Sequence, residues 1–155
     1  MTLTIELVKN AIVDILKNAM LTLPEKERLV VEIPDSVDNY KLNHPRGAVL
    51  VVYRGSNYIK KNINDFLAQD RDIEIGVIVI ARNIKSIANN SMSPDDYLDF
   101  VIDKLSGQVI DNKREEKKIY CKGDEFVDEE NGVWTYLATF VVPIDFFEED
   151  IRGMI

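Results

Sequence analysis

An α+β fold, with two helices on a mainly antiparallel sheet in the order α-β-β-β-α-β-β, is predicted by three features of the sequence. Residues 5–19 repeat apolar side chains at three- and four-residue steps, the period of an amphipathic helix. Residues 48–53 and 73–81 are apolar on both faces, as interior strands are. Residues 133–144 alternate behind the turn signal Asn131-Gly132.

Each element follows from local chemistry. The opening helix places Ile5, Val8, Ala11, Ile12, Ile15, Leu16 and Ala19 on one face, with Glu6, Lys9, Asn10, Asp14, Lys17 and Asn18 mostly opposite. Leu23-Pro24 ends it, because proline cannot extend the hydrogen-bond ladder and disfavours helix at the residue before it. Residues 29–33 read as a short strand stopped by Pro34. Between the two apolar strands lie residues 54–72, with one glycine and no proline, a connection longer than chain reversal needs. This segment is the expected working surface, a subunit or tail interface carrying Arg54, Ser56, Tyr58, Lys60 and Lys61; the alternative is a solvated loop with Tyr58 and Phe66 folded back as a lid. Ser93-Pro94-Asp95-Asp96 starts the second helix, with Ser as N-cap, Pro at the first helical position and acids in the first turn. It runs through Tyr97, Phe100, Val101 and Leu105 to a glycine cap at Gly107. The remainder reads as a hairpin of residues 118–121 and 133–144 around an acidic turn. Trp134, Tyr136, Ala138, Phe140 and Val142 share one face of its second strand.

Composition narrows the function classes. The 155 residues suit one domain, 1–155, and no Pro/Gly/Ser-rich linker divides them. A net charge of −8 and a pI near 4.7 argue against broad duplex binding, which needs clustered Lys and Arg. The charge is uneven: residues 1–92 carry +1 and residues 93–155 carry −9. The lone Cys121 excludes an internal disulfide framework and fits a reducing compartment. Residues 1–20 have acids and lysines spaced through them, which predicts neither a signal peptide nor a membrane span.

No assembled chemistry emerges. One histidine, His44, would have to serve any imidazole-dependent mechanism, and it precedes Pro45 in an extended stretch with no activated Ser or Cys marked beside it. Cys121 reads as a small core hydrophobe. The acids of residues 124–130 lack the alternate-ligand pattern and central glycine of a calcium loop, so they read as a solvated turn. Phosphate-loop, dinucleotide and zinc-protease motifs are absent from the sequence. The expected catalytic, cofactor and metal residues are therefore none.

The stretch His44-Pro45-Arg46-Gly47, running through residues 48–54 to Gly55-Ser56-Asn57-Tyr58, is not explained by generic strand chemistry. With the strand at 75–82, the Tyr97 helix ending in Leu105-x-Gly107 and the block Gly132-Val133-Trp134-x-Tyr136, it resembles the Mu-like prophage proteins encoded among head-to-tail joining genes, across most of residues 40–140. The element order in turn looks like the tail terminators of long-tailed phages such as lambda. The resemblance implies a tail-terminator-like domain forming a hexameric ring that caps the tail tube and meets the head connector. Its implied partners are itself, the tube, sheath and connector proteins, without sequence-specific nucleic acid or membrane, first in the host cytoplasm and then in the virion tail. A ring closes through two unlike patches that match; the −9 part and the locally basic residues 54–61 are the candidates. Two alternatives stay open: a head-completion or connector adaptor, and a small hydrolase using His44 with nearby acids.

Overall fold

The computed structural model describes residues 4–63, 66–84, 91–110 and 117–147; within the strands, the side chains of residues 61–63, 66–69 and 145–147 lie outside that description. The order is α1 (Thr4–Met20), β1 (Val30–Glu32), β2 (Gly47–Ile63), β3 (Phe66–Arg82), α2 (Pro94–Leu105), β4 (Tyr120–Glu130) and β5 (Val133–Phe147), with a 3-10 turn at Glu25–Glu27. The five strands make one sheet, β1-β2-β3-β5-β4, in which β1 runs parallel to β2 and every other pairing is antiparallel. This is the α+β class and element order the sequence predicts.

Both helices pack on one face of the sheet. Val8, Ile12, Val13, Leu16 and Met20 of α1 and Tyr97, Leu98, Val101 and Leu105 of α2 are buried against Val49, Val51, Ile73, Ile75, Val77, Val79, Tyr136, Ala138, Phe140 and Val142. These strand residues recur at every second position, so a single pleat face supplies the core. The helix starts as expected: Ser93 Oγ accepts from the Asp96 N–H at 3.2 Å, while the Asp96 carboxylate accepts from the Ser93 N–H at 2.9 Å. Gly107 follows its end at φ +85°.

Two connections differ from expectation. Residues 54–63 and 66–72 are not loop: β2 and β3 continue through them, paired from Gly47↔Ala81 to Ile63↔Phe66 with one register shift between Tyr53 and Gly55. The acidic run is likewise not a turn. Residues 124–130 lie in β4, an edge strand exposed along nearly its whole length, and chain reversal is confined to Asn131 and Gly132, whose φ values are +55° and +80°. None of the described side chains of either segment is buried, so burial leaves no apolar alternation there; their strand geometry comes from pairing to a neighbour.

Two residues of the His-Pro-Arg-Gly block build the core rather than a site. Gly47 has φ +138°, and a Cβ there would lie 1.9 Å from the Ile80 carbonyl oxygen. Gly47→Ala should therefore destabilise the fold by more than the ~1 kcal/mol typical of point changes, read as a lower urea midpoint. Arg46 is 7% exposed. Its Nη2 donates to Glu27 Oε2 at 2.9 Å, the Tyr97 hydroxyl at 2.8 Å and the Met92 carbonyl at 3.1 Å, and its Nη1 donates to the Arg82 carbonyl at 3.0 Å. Tyr97 in turn donates to the Glu27 backbone oxygen at 2.6 Å. One guanidinium thus ties the 3-10 turn, the start of β2, the end of β3 and the approach to α2.

Candidate functional site

The predicted interface residues lie where β2 passes beyond the helices, and a β-bulge decides where they point. Tyr53 pairs with Ile75 and Gly55 with Glu74, leaving Arg54 as the extra residue. Gly55, at φ +141°, takes the backbone conformation that this bulge needs. Beyond it, Ser56, Tyr58 and Lys60 pair with Ile73, Arg71 and Gln69 and share the helix-side face.

On that face Arg71 organises the arm. Its Nε donates to Ser56 Oγ at 3.1 Å, and its guanidinium lies 5.4 Å from the Tyr58 ring centre, a cation–π distance. The Tyr53 and Ser56 hydroxyls are 2.9 Å apart. Hydrogen bonding to Ser56, only partly opposed by burial and reinforced by the Arg71 charge, pulls the Tyr53 phenol below its ordinary pKa. Arg71 also reaches a groove of about 600 Å³ beside the first turns of α1.

Arg54 goes to the opposite face. It crosses Gly76 and donates from Nη1 to Thr139 Oγ1 at 3.2 Å, in a groove of about 340 Å³ shared with Glu74, Lys122, Asp124 and Glu125. Lys122 Nζ sits 2.5 Å from Glu74 Oε1 there. The predicted set is therefore split: Ser56, Tyr58 and Lys60 come together, Arg54 is separated from them, and Lys61 belongs to the strand by its backbone while its side chain lies outside the described residues. A Cβ at position 76 would lie 2.9 Å from Arg54 Cδ. Gly76→Ala should lift Arg54 off Thr139 at a stability change of about 0.5 kcal/mol or less, since a flexible side chain can yield; a crystal structure of the variant checks it.

Sequence reasoning missed Arg71, Tyr53, Gly76 and Thr139. Only the pairing register brings them to the arm, and no local signal marks them.

The opposite sheet edge is β4. Its Phe126, 54% exposed, packs 5.6 Å from Trp134 and 6.0 Å from Tyr136 between ring centres. The Tyr136 hydroxyl donates to Asp95 at the start of α2; burial first, and then this carboxylate, push its pKa up. The Gly-Val-Trp-x-Tyr block is thus a hairpin turn followed by an aromatic brace to α2.

The remaining sequence candidates occupy ordinary positions. His44 Nε2 lies 3.7 Å from Glu32 Oε1, which also accepts from the Tyr40 hydroxyl at 2.6 Å, and no Ser, Thr or Cys side chain bonds it among the described residues. Burial raises the Cys121 thiol, and its contact is the Gly123 carbonyl at 3.6 Å. Among the described residues no three His, Cys, Asp or Glu side chains group as a metal set, and no helix is long and apolar enough to cross a membrane.

Among the described residues the buried polar groups hold elements together, and the exposed features are strand edges and an extended hairpin. The sequence model described as Gp37 protein matches residues 16–152, and the chain belongs to this Gp37 family of phage and Mu-like prophage proteins. Membership implies a phage structural or assembly protein. No curated protein matches the chain.

Proposed function

We propose that the chain is a tail-terminator or tail-completion subunit, a ring component at the head-proximal end of a phage or prophage tail. The observation that carries this reading is the element order α-β-β-β-α-β-β, which resembles that of long-tailed phage tail terminators, in a member of a phage protein family. The two unlike sheet edges support it, because a ring is closed by heterologous contacts between different patches of one subunit. Its partners in this reading are further copies of itself, tube and sheath on one side, and the head connector on the other. It is made in the host cytoplasm and then carried in the virion tail.

Electron microscopy of particles made without the chain tests the reading. Tails of abnormal length or tails without heads are the expected result, and tails of normal length with heads attached contradict it. Cross-linking of intact particles separates it from the connector-adaptor reading: contacts to tube or sheath are expected, whereas contacts confined to portal and adaptor proteins favour the adaptor.

A further inference from the structure

We infer that successive copies of this chain join head to tail through their sheet edges, the β2 edge of one copy pairing antiparallel with the β4 edge of the next. The inference deepens the ring reading above and rests on it.

Four observations meet here. First, β1 covers β2 only from Ala48 to Leu50, so from residue 51 to 63 the outer side of β2 pairs with no strand among the described residues. The outer side of β4 is open in the same way along all 11 residues. Open edges present unpaired N–H and C=O groups that a further strand can satisfy.

Second, the edges are oppositely charged. Arg54 turns inward across Gly76, and the open part of β2 otherwise carries Lys60 and Lys61 and no acid, whereas β4 carries Lys122 against Asp124, Glu125, Asp128, Glu129 and Glu130. Like edges repel one another, which disfavours a two-fold dimer through β2–β2 or β4–β4 contact, while the crossed pairing is attractive. A contact between unlike edges leaves one of each open on the resulting pair, and that propagates until a rotation closes the ring.

Third, the strand directions fit. Three successive antiparallel steps, β2 to β3 to β5 to β4, make β2 and β4 run oppositely. A rotation about an axis along the strands keeps each direction, so the joint is antiparallel, the more stable ladder. The bulges of β4, after Cys121 and after Phe126, confine the regular ladder to residues 123–126 and 128–130.

Fourth, each edge exposes apolar side chains that a free surface does not need: Tyr58 and Ile59 on β2, Phe126 and Val127 on β4. Water-accessible aromatics beside charges are what a joint would cover.

The test uses the whole chain with Cys121→Ser as background. Glu125→Cys is combined with Asn57→Cys in one variant and with Ile59→Cys in another, positions on the same outer face of the two edges. Oxidation should convert at least one doubly substituted chain into a covalent series of dimers, trimers and larger species, while each single-cysteine chain stops at a dimer or below. In a parallel series, Lys60→Glu/Lys61→Glu or Asp128→Lys/Glu129→Lys alone should raise the concentration needed for assembly at least about tenfold, the scale of lost close charge pairs, and both pairs in one chain should restore it. Circular dichroism shows that each variant is folded. Rings in native mass spectrometry that neither cross-link nor respond to charge reversal overturn the edge joint while leaving the tail role standing. A chain that stays monomeric and gives no covalent series at any concentration overturns it as well. Loss of the tail role shows separately, in particle morphology.

Discussion

Arg46→Ala is expected to remove roughly 3–5 kcal/mol of folding stability, the range for deleting one partner of a buried ion pair. The reason is the number of segments that one guanidinium holds. Glu27 is 4% exposed, and its Oε2 accepts from Arg46, the Tyr97 hydroxyl and the Met92 N–H. Without Arg46 that carboxylate keeps its desolvation but loses its counter-charge. The Met92 and Arg82 carbonyls lose a donor at the same time. Urea unfolding of the variant against wild type measures the loss; a change below about 1 kcal/mol would mean that water replaces the guanidinium freely.

The same cluster sets an acid dependence. Burial alone raises the Glu27 pKa, but hydrogen bonds from Tyr97, the Met92 backbone and Arg46, together with the Arg46 charge, more than offset it and leave it below its ordinary 4.5. A carboxyl depressed in the folded state stabilises the fold above the unfolded pKa, and that contribution disappears as pH falls through the folded value. Stability should therefore decline as pH drops below about 4.5, and Glu27→Gln should flatten that part of the curve while lowering the plateau above it. Urea midpoints measured along a pH series check the slope.

Lys60→Glu/Lys61→Glu is expected to raise the concentration needed for assembly at least about tenfold while leaving folding stability within about 0.5 kcal/mol of wild type, the usual range for surface changes. Lys60 is exposed on the distal part of β2, beyond the buried helix-side residues Val49 and Val51. Adding Arg54→Glu would confuse the result. Arg54 lies across Gly76 in a groove with Glu74, Asp124 and Glu125, so reversing its charge places a fourth acid among three and disturbs packing. Sedimentation or native mass spectrometry, with a urea curve on the same sample, reads both quantities. A stable double variant that assembles at the wild-type concentration removes the arm from the interface, and a large stability loss assigns it to the core instead.

What could be read from the sequence follows where water is excluded. Both helices, the N-cap at Ser93 and the interior parts of β2, β3 and β5 were legible because burial on one face leaves a period in the residues. The Asn131-Gly132 turn was legible because few residues tolerate its positive φ values. Residues 54–60 and β4 were not, since none of their side chains is buried, and a strand without a buried face has no apolar alternation and resembles a polar loop. The residues read as an interface fall on one arm of the hairpin but not on one face of it. One bulge at Arg54 reverses which side chains share a face, and no local feature announces it. Arg46 stands in the His-Pro-Arg-Gly motif, yet its role needs residues 27, 82, 92 and 97, which only tertiary structure brings together.

The most direct measurement is the location of the chain in assembled particles. Electron cryomicroscopy of tails carrying a tagged copy should show one ring of label per tail, at the end that meets the head, with adjacent subunits continuous from β2 to β4. Label distributed along the tube, at the distal end, or on heads alone would contradict the proposed role.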